Sequence, residues 1–392
     1  MAKIDTVILD MDGVITSERK YWEAGGLTVA EILESGAYIG LSPTLFQADA
    51  PLERLMKKGR KFLPDETVLA LKNRAINSNW DIAYIVIALH IAELLKGALF
   101  RHPIFWGTVV SRGLTQATLR QLGATLNGEF RATETTGELA HAFLADKSGL
   151  KGYELMTALN DWLDKKTGIS AHLFNRGDEF WKLCQDIFQE WYLGDRLFEA
   201  TYGRPPVQKG KIGLIQSEVP ILPLEKIVAL LKRLRAAGYQ LGIGTGRPYE
   251  EIITPLRDWG LLEYFNSERI STHREVEQAE HNIFEVGIRD GEGRRVHLSK
   301  PHPFVFLRAI HPEIDDIALY RGEYPAQKHA SVAVVGDTVS DIRAAKSIEC
   351  LTIAVLSGIG GIEARPQLAT ANPDLFLDHV LGLSDLLGLE TS

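Results

Sequence analysis

Cysteine is nearly missing from this chain: only Cys184 and Cys350 occur among 392 residues, far apart and outside any CxxC pair. That excludes a disulfide framework and a thiolate zinc centre, and it predicts two buried thiols. Positive charge is not in excess either. With 43 Lys and Arg against 51 Asp and Glu, the formal net charge is -8, so nucleic acid and anionic membrane surfaces are not expected as partners. No apolar run reaches the roughly 18 residues that a spanning helix wants. The strongest, "IAYIVIALHIAELL" at 82–95, contains His90 and Glu93 and reads as a buried helix. The first residues, "MAKIDTVILDMDG", lack a long apolar stretch and a small-residue cleavage site, so a cytoplasmic protein is expected. The histidines are scattered without an HExxH pairing, and there is no internal repeat or low-complexity tract. What is present is a globular composition, 45% hydrophobic, which can fill more than one core and points to small molecules as partners.

The apolar pattern changes twice along the chain. Residues 4–9 are strand-like. For about two hundred residues thereafter, segments such as "GYELMTALNDWLDKKTG" and "GDEFWKLCQDIFQEWYLGDRLFEATYG" space their apolar residues at helical intervals: Leu155, Leu159, Trp162 and Leu163 in one, Phe180, Cys184, Ile187, Phe188 and Trp191 in the other. Such an aromatic stripe is expected to be core. The basic run "ERLMKKGRKFL" is expected to be a solvated helix face.

"YGRPPVQKGK" reads as a linker, after which helix and strand alternate: "LEKIVALLKRLRAA" then "YQLGIG", "YEEIITPLRDWGL" then "FNSERIST", "KPHPFVFLRAI" then "SVAVVGD", "VSDIRAAKSI" then "CLTIAVLSG". This order predicts βαβ units and a parallel sheet covered on both faces. The simplest arrangement is an α/β domain from residues 1–16 plus 215–392, with a helical domain, 17–214, inserted between. "NIFEVGIRDGEGRRVHL" alternates around an Asp-Gly turn and predicts a hairpin excursion within 266–299.

Ligands of an open parallel sheet bind beyond the carboxyl ends of its strands. Those positions hold Asp10 and Asp12, then Thr245 and Gly246, then Asp337 with Asp341 four residues on, and Lys300 stands at "KPHP" between them. Singly, each has an ordinary role as turn residue, helix cap, surface lysine or first-turn acid. Together they form a carboxylate cluster that repels itself unless a cation neutralises it, and an oxygen-only ligand set favours magnesium. A lysine, a hydroxyl and a metal offset phosphoryl charge. One carboxylate can then attack phosphorus to give an aspartyl phosphate while a second moves protons.

"DMDGV", "GTGRP", "KPHP" and "GDTVSD", in this order, resemble the four motifs of the haloacid dehalogenase-like superfamily. The resemblance covers about half the chain. It implies a Rossmann-like, doubly wound core with a helical cap inserted between the first and second motifs, which closes over the site and selects substrates. By that resemblance Asp10 is nucleophile and metal ligand, and Asp12 is general acid/base with its carbonyl on the metal. Thr245 binds phosphate, Lys300 stabilises nucleophile and phosphoryl group, Asp337 ligates Mg2+ and Asp341 supports the metal site. Gly246 and Arg247, next to Thr245, are expected to bind phosphate with it. An acid at Asp12 places the chain with the phosphatases and sugar-phosphate mutases rather than the halide-cleaving members.

The expected function is therefore a magnesium-dependent phosphatase acting on a small phosphorylated metabolite. A phosphomutase, which returns its phosphoryl group to a sugar, and a non-catalytic binding protein of the same fold are the alternatives. The region from about Thr16 to Gln208 is far longer than the compact helical bundle usual in the family, so the substrate does not follow by analogy. Glu18, Lys20, Trp22 and Tyr249 are further candidates near the motifs.

Overall fold

Six short apolar runs form one parallel sheet in the order β3-β2-β1-β4-β5-β6. They are β1 (Thr6–Leu9), β2 (Gln240–Gly244), β3 (Ile270–Ser271), β4 (Val332–Gly336), β5 (Leu351–Val355) and β6 (Leu375–Leu377) in the computed structural model, which describes residues 3–99, 102–126, 134–291 and 293–389. The chain divides into two units, Met1–Glu18 with Glu218–Ser392, and Arg19–Ser217.

In the sheet unit the side chains alternate across β1. Val7 and Leu9 pack on the layer of Leu230, Leu231, Leu234 and Ile252, while Ile8 packs on that of Phe304, Phe306 and Leu307. Burial of both faces explains why the central strands are continuously apolar. Strand order reverses beside β1, between β2 and β4, which is the switch point where such sheets open a crevice. Leu9 pairs in register with Ile243 and with Val335. The residues that follow β1, β2 and β4 are therefore delivered to one rim.

The expected hairpin within 266–299 is not there. Residues His273–Glu285 form a helix, because Thr272 and Glu275 make a capping box and Val276, Ala279 and Ile283 supply one buried face. The alternation in "NIFEVGI" misled because its apolar residues also fit a helical period. A turn follows, in which Arg294 N donates to Asp290 Oδ1 (2.8 Å); Glu292 lies outside the described residues. The strand expected from "FNSERIST" shrinks to two residues.

The other unit is helical. Asn79–Leu99 is its centre, buried almost without interruption from Asp81 to Ala92. Among the described residues it alone is long and apolar enough to cross a membrane, and 78% of its apolar stretch is buried within the fold. The stripes on Gly152–Thr167 and Glu179–Tyr202 are core. The latter helix breaks at Gly194 (φ 76), where any Cβ would meet Gly213 N at 2.6 Å. The basic helix Leu52–Phe62 is partly neutralised: Lys58 pairs with Glu34, and Arg60 with Glu23 at 3.1 Å.

The stretch read as a linker is packed into this helical unit. Lys211 is fully buried between Glu31, 2.9 Å away, and Glu190, and Val207 N donates to Glu190 Oε1 (3.0 Å). Two buried acids require a cation, and the returning chain supplies it.

The chain leaves and re-enters the sheet unit along a short antiparallel ribbon. Thr16 bridges Pro220, Ser17 N donates to Val219 O (2.9 Å), and Ile221 N donates to Ile15 O (2.9 Å).

Candidate active site

Asp10 follows β1 directly and its backbone N–H donates to Val335 O (2.9 Å), so the strand ladder itself fixes where the carboxylate emerges. Lys300 Nζ lies 3.1 Å from Asp10 Oδ1 and 2.7 Å from Asp341 Oδ1, with the ring of Phe306 beneath it at 4.9 Å. Burial pushes the Asp10 carboxyl up to about 7; Lys300 pulls it down, and Asp341 and Asp12 raise it further. Burial works against the Lys300 charge, yet Asp10 and Asp341 more than offset it and hold the ammonium above its usual range.

Asp341 is anchored from both sides. Its Oδ2 accepts from Thr338 N (3.0 Å) and Thr338 Oγ1 (2.6 Å) in the capping box that opens the helix Val339–Lys346, while Oδ1 faces Lys300. Asp337 differs. Its Oδ1 is buried without a hydrogen-bond partner among the described residues, and its carboxyl is raised well above the usual range by burial and by Asp341, Asp10, Glu18 and Asp12. Two glycines let it approach: a Cβ on Gly13 or on Gly358 would lie 2.1 Å or 2.0 Å from Asp337 Oδ2. Ser357 Oγ ties these loops together by donating to Gly13 O (2.6 Å).

Ligand oxygens of Asp10, Asp337 and Asp341 lie within 4.8 Å of one another. Three carboxylates at this spacing, one of them with an orphaned buried oxygen, fit a hard divalent cation, which would supply the missing partner and favour ionisation of all three. Histidine and cysteine are absent from the set, as magnesium prefers.

Thr245, 1% exposed, is fixed by its N–H on Ser271 O (3.0 Å), and space is open at Gly246, where a Cβ would meet nothing within 4 Å. Arg247 turns away from solvent. Its Nε lies 3.1 Å and 3.0 Å from the two carboxylate oxygens of Asp12, Nη2 also reaches Asp12 Oδ1, and Nη1 donates to Glu218 Oε2 at 3.2 Å. Thr16 Oγ1 donates to Asp12 Oδ1 (3.2 Å). Sequence reading missed Glu218 and the Ser357–Gly358 pair, since no motif marks contacts made across such chain distances, and it also missed Thr16, four residues beyond Asp12.

The outer candidates have structural partners. Tyr249 lies under the Arg274 guanidinium (3.8 Å). In the helical unit, buried Lys20 pairs with Glu23 at 2.9 Å, and Trp22 is buried with Arg19 at 5.5 Å over its ring. A groove of about 800 Å³ lined by residues such as Asn282, Arg308 and Asp316 shares no side chain with the acid cluster, so volume alone does not mark the site.

A family model described as haloacid dehalogenase-like hydrolase matches residues 4–349. An X-ray structure solved as a structural-genomics target is 26% identical, covers 98% of this chain and 98% of its own, and has a TM-score of 0.78. A hydrolase from Pseudomonas syringae is 18% identical over 64% of this chain and 89% of its own, with a TM-score of 0.35. A HAD family hydrolase from Deinococcus radiodurans R1, solved with bound phosphate and sodium, is 16% identical over 100% and 99%, with a TM-score of 0.37. No curated protein matches the chain in sequence.

Proposed function

The chain belongs to the haloacid dehalogenase-like hydrolases, and from that premise we propose that it is a cytoplasmic, magnesium-dependent phosphatase of small phosphorylated metabolites, acting through an aspartyl phosphate on Asp10. The observation that carries this reading is the pairing of Asp10 with Lys300 beside an acid, Asp337, whose buried Oδ1 has no hydrogen-bond partner among the described residues. Lys300 keeps Asp10 available as a carboxylate despite its burial and lends charge to the incoming phosphoryl oxygens. Thr245 and the backbone at Gly246 donate hydrogen bonds to those oxygens. Asp10 attacks phosphorus in line, and Asp12 gives its proton to the departing alcohol, then removes one from the water that splits the acyl phosphate. Asp10, Asp337 and the Asp12 carbonyl would hold magnesium, with Asp341 supporting them; the ion supplies positive charge to the phosphoryl group.

The test is phosphate release from a panel of phosphorylated metabolites and an aryl phosphate, with and without magnesium, for the native protein and Asp10→Asn. Metal-dependent turnover abolished by the substitution is the expected result. A folded, magnesium-binding protein that turns over nothing on the panel would move the reading to a binding protein or to a mutase needing a primed substrate.

A further inference from the structure

Arg247 sits in the second motif, where a cation invites the role of phosphate ligand, yet its charge is already committed. The Arg247 side chain is 3% exposed and its guanidinium stands between two carboxylates, Asp12 and Glu218, so even with Asp12 protonated the trio carries no net positive charge and offers no surplus attraction to a phosphate dianion. Its backbone is pinned as well: Arg247 N donates to Thr245 Oγ1 (3.3 Å), and Arg247 O accepts from His273 N (2.9 Å). We propose that Arg247 and Glu218 are positioning residues for Asp12, a clasp that fixes how the acid presents its proton to the leaving alcohol. The inference rests on the phosphatase reading above.

The contacts are unequal across the carboxylate. Asp12 Oδ1 accepts from Arg247 Nε, Arg247 Nη2 and Thr16 Oγ1, whereas among the described residues Oδ2 accepts from Arg247 Nε, at 3.0 Å. Each donor occupies a lone-pair direction, so Oδ2, the less engaged oxygen, is the one left to face the leaving alcohol. As the bond from Asp10 to phosphorus forms and the ester P–O bond breaks, the proton of the acid passes to the alkoxide. Asp12 leaves the step ionised and takes a proton back from the attacking water. Glu218 holds the far end of the guanidinium. Without its charge, the contacts of the guanidinium to Asp12 loosen. Glu218 also immediately precedes Val219, the residue of the ribbon whose carbonyl accepts from Ser17.

A positioned acid matters most when the leaving group is poor. We therefore compare para-nitrophenyl phosphate, whose phenolate departs without help, with glycerol phosphate, whose alkoxide must be protonated, in Glu218→Gln, Arg247→Met and Arg247→Lys. The expected result is a kcat for glycerol phosphate lower by about a hundredfold in Glu218→Gln and Arg247→Met. The aryl ester should lose less than about tenfold, KM and inhibition by inorganic phosphate should hold within about threefold, and Arg247→Lys should recover part of the alkyl activity. Equal losses on both esters, or raised KM with weakened phosphate inhibition, overturn the clasp and restore Arg247 as a phosphate ligand. Glu218→Gln is nearly isosteric, so it decides the matter if the arginine variants fail to fold. Native enzyme inactive in magnesium on both esters and on the whole metabolite panel defeats the phosphatase reading itself, a failure distinct from equal losses in an active enzyme.

Discussion

In the helical unit Lys211 lies between Glu31 and Glu190; in the sheet unit Lys300 lies between Asp10 and Asp341. The ingredients are the same, and in each trio burial lifts one carboxyl to about 7, Glu31 in the first and Asp10 in the second. The surroundings differ. The three side chains of the helical trio are 0% exposed, and Glu190 takes a further hydrogen bond from Val207. The sheet trio sits at strand ends beside Asp337, a third acid whose buried Oδ1 has no hydrogen-bond partner among the described residues, and Lys300 retains 11% exposure. A buried lysine with two acids is thus no mark of a site by itself. What sets the sheet trio apart is the neighbouring acid whose buried oxygen has no hydrogen-bond partner among the described residues.

The comparison breaks most directly at the two lysines. Lys211→Met strands two carboxylates in a sealed interior and should cost about 3–5 kcal/mol in a denaturant titration. Lys300→Met should cost clearly less stability, while lowering kcat by at least about a hundredfold. Equal stability losses would mean that the two trios are the same kind of structure.

Glu31 sharpens the contrast through pH. Its folded-state pKa of about 7 lies above the usual 4.5, with burial as the main cause, so between those values the native state binds the extra proton. Stability from this group is therefore full below about 4.5 and lost as pH rises through 7, a span worth about 3 kcal/mol. Glu31→Gln should flatten that slope in thermal melts taken across this range; an unchanged slope would assign it elsewhere.

Asp337→Asn removes the uncompensated acid. Metal-free protein should gain about 1 kcal/mol of stability, while the rise in melting temperature on adding magnesium should disappear. The smallest expected effect is that of Gly358→Ala. Its methyl group would displace Asp337 and weaken magnesium binding, measured by calorimetry, by about tenfold with little change in the fold.

Much of this was legible in the sequence because chemistry and strand ends coincide. Asp10, Thr245 and Asp337 each follow an apolar run, and a parallel sheet in register leaves such residues no choice but one rim. Asp341 was readable from its spacing to Asp337 within one helical turn. What could not be read depends on distant pairing. Glu218 is joined to Arg247 across 29 positions, and Ser357 to Gly13 across 344. Lys211 looked like linker charge because nothing local reports that Glu31 and Glu190 converge on it. Strand β6 went unread because three residues carry no period. The hairpin error came from weighing alternation above the Thr272–Glu275 capping box, whose two side-chain bonds start a helix at that point.

The ribbon at Thr16 and Pro220 bears on what sets the register of the sheet. Backbones that share a ladder lie about 5 Å apart, a gap that a two-residue turn closes. The sheet unit's own chain path is therefore that of an ordinary hairpin, into whose tip Arg19–Ser217 has been spliced. The register of the strands is thus set by pairings within the sheet unit, and the length of the segment spliced in at the ribbon does not enter it.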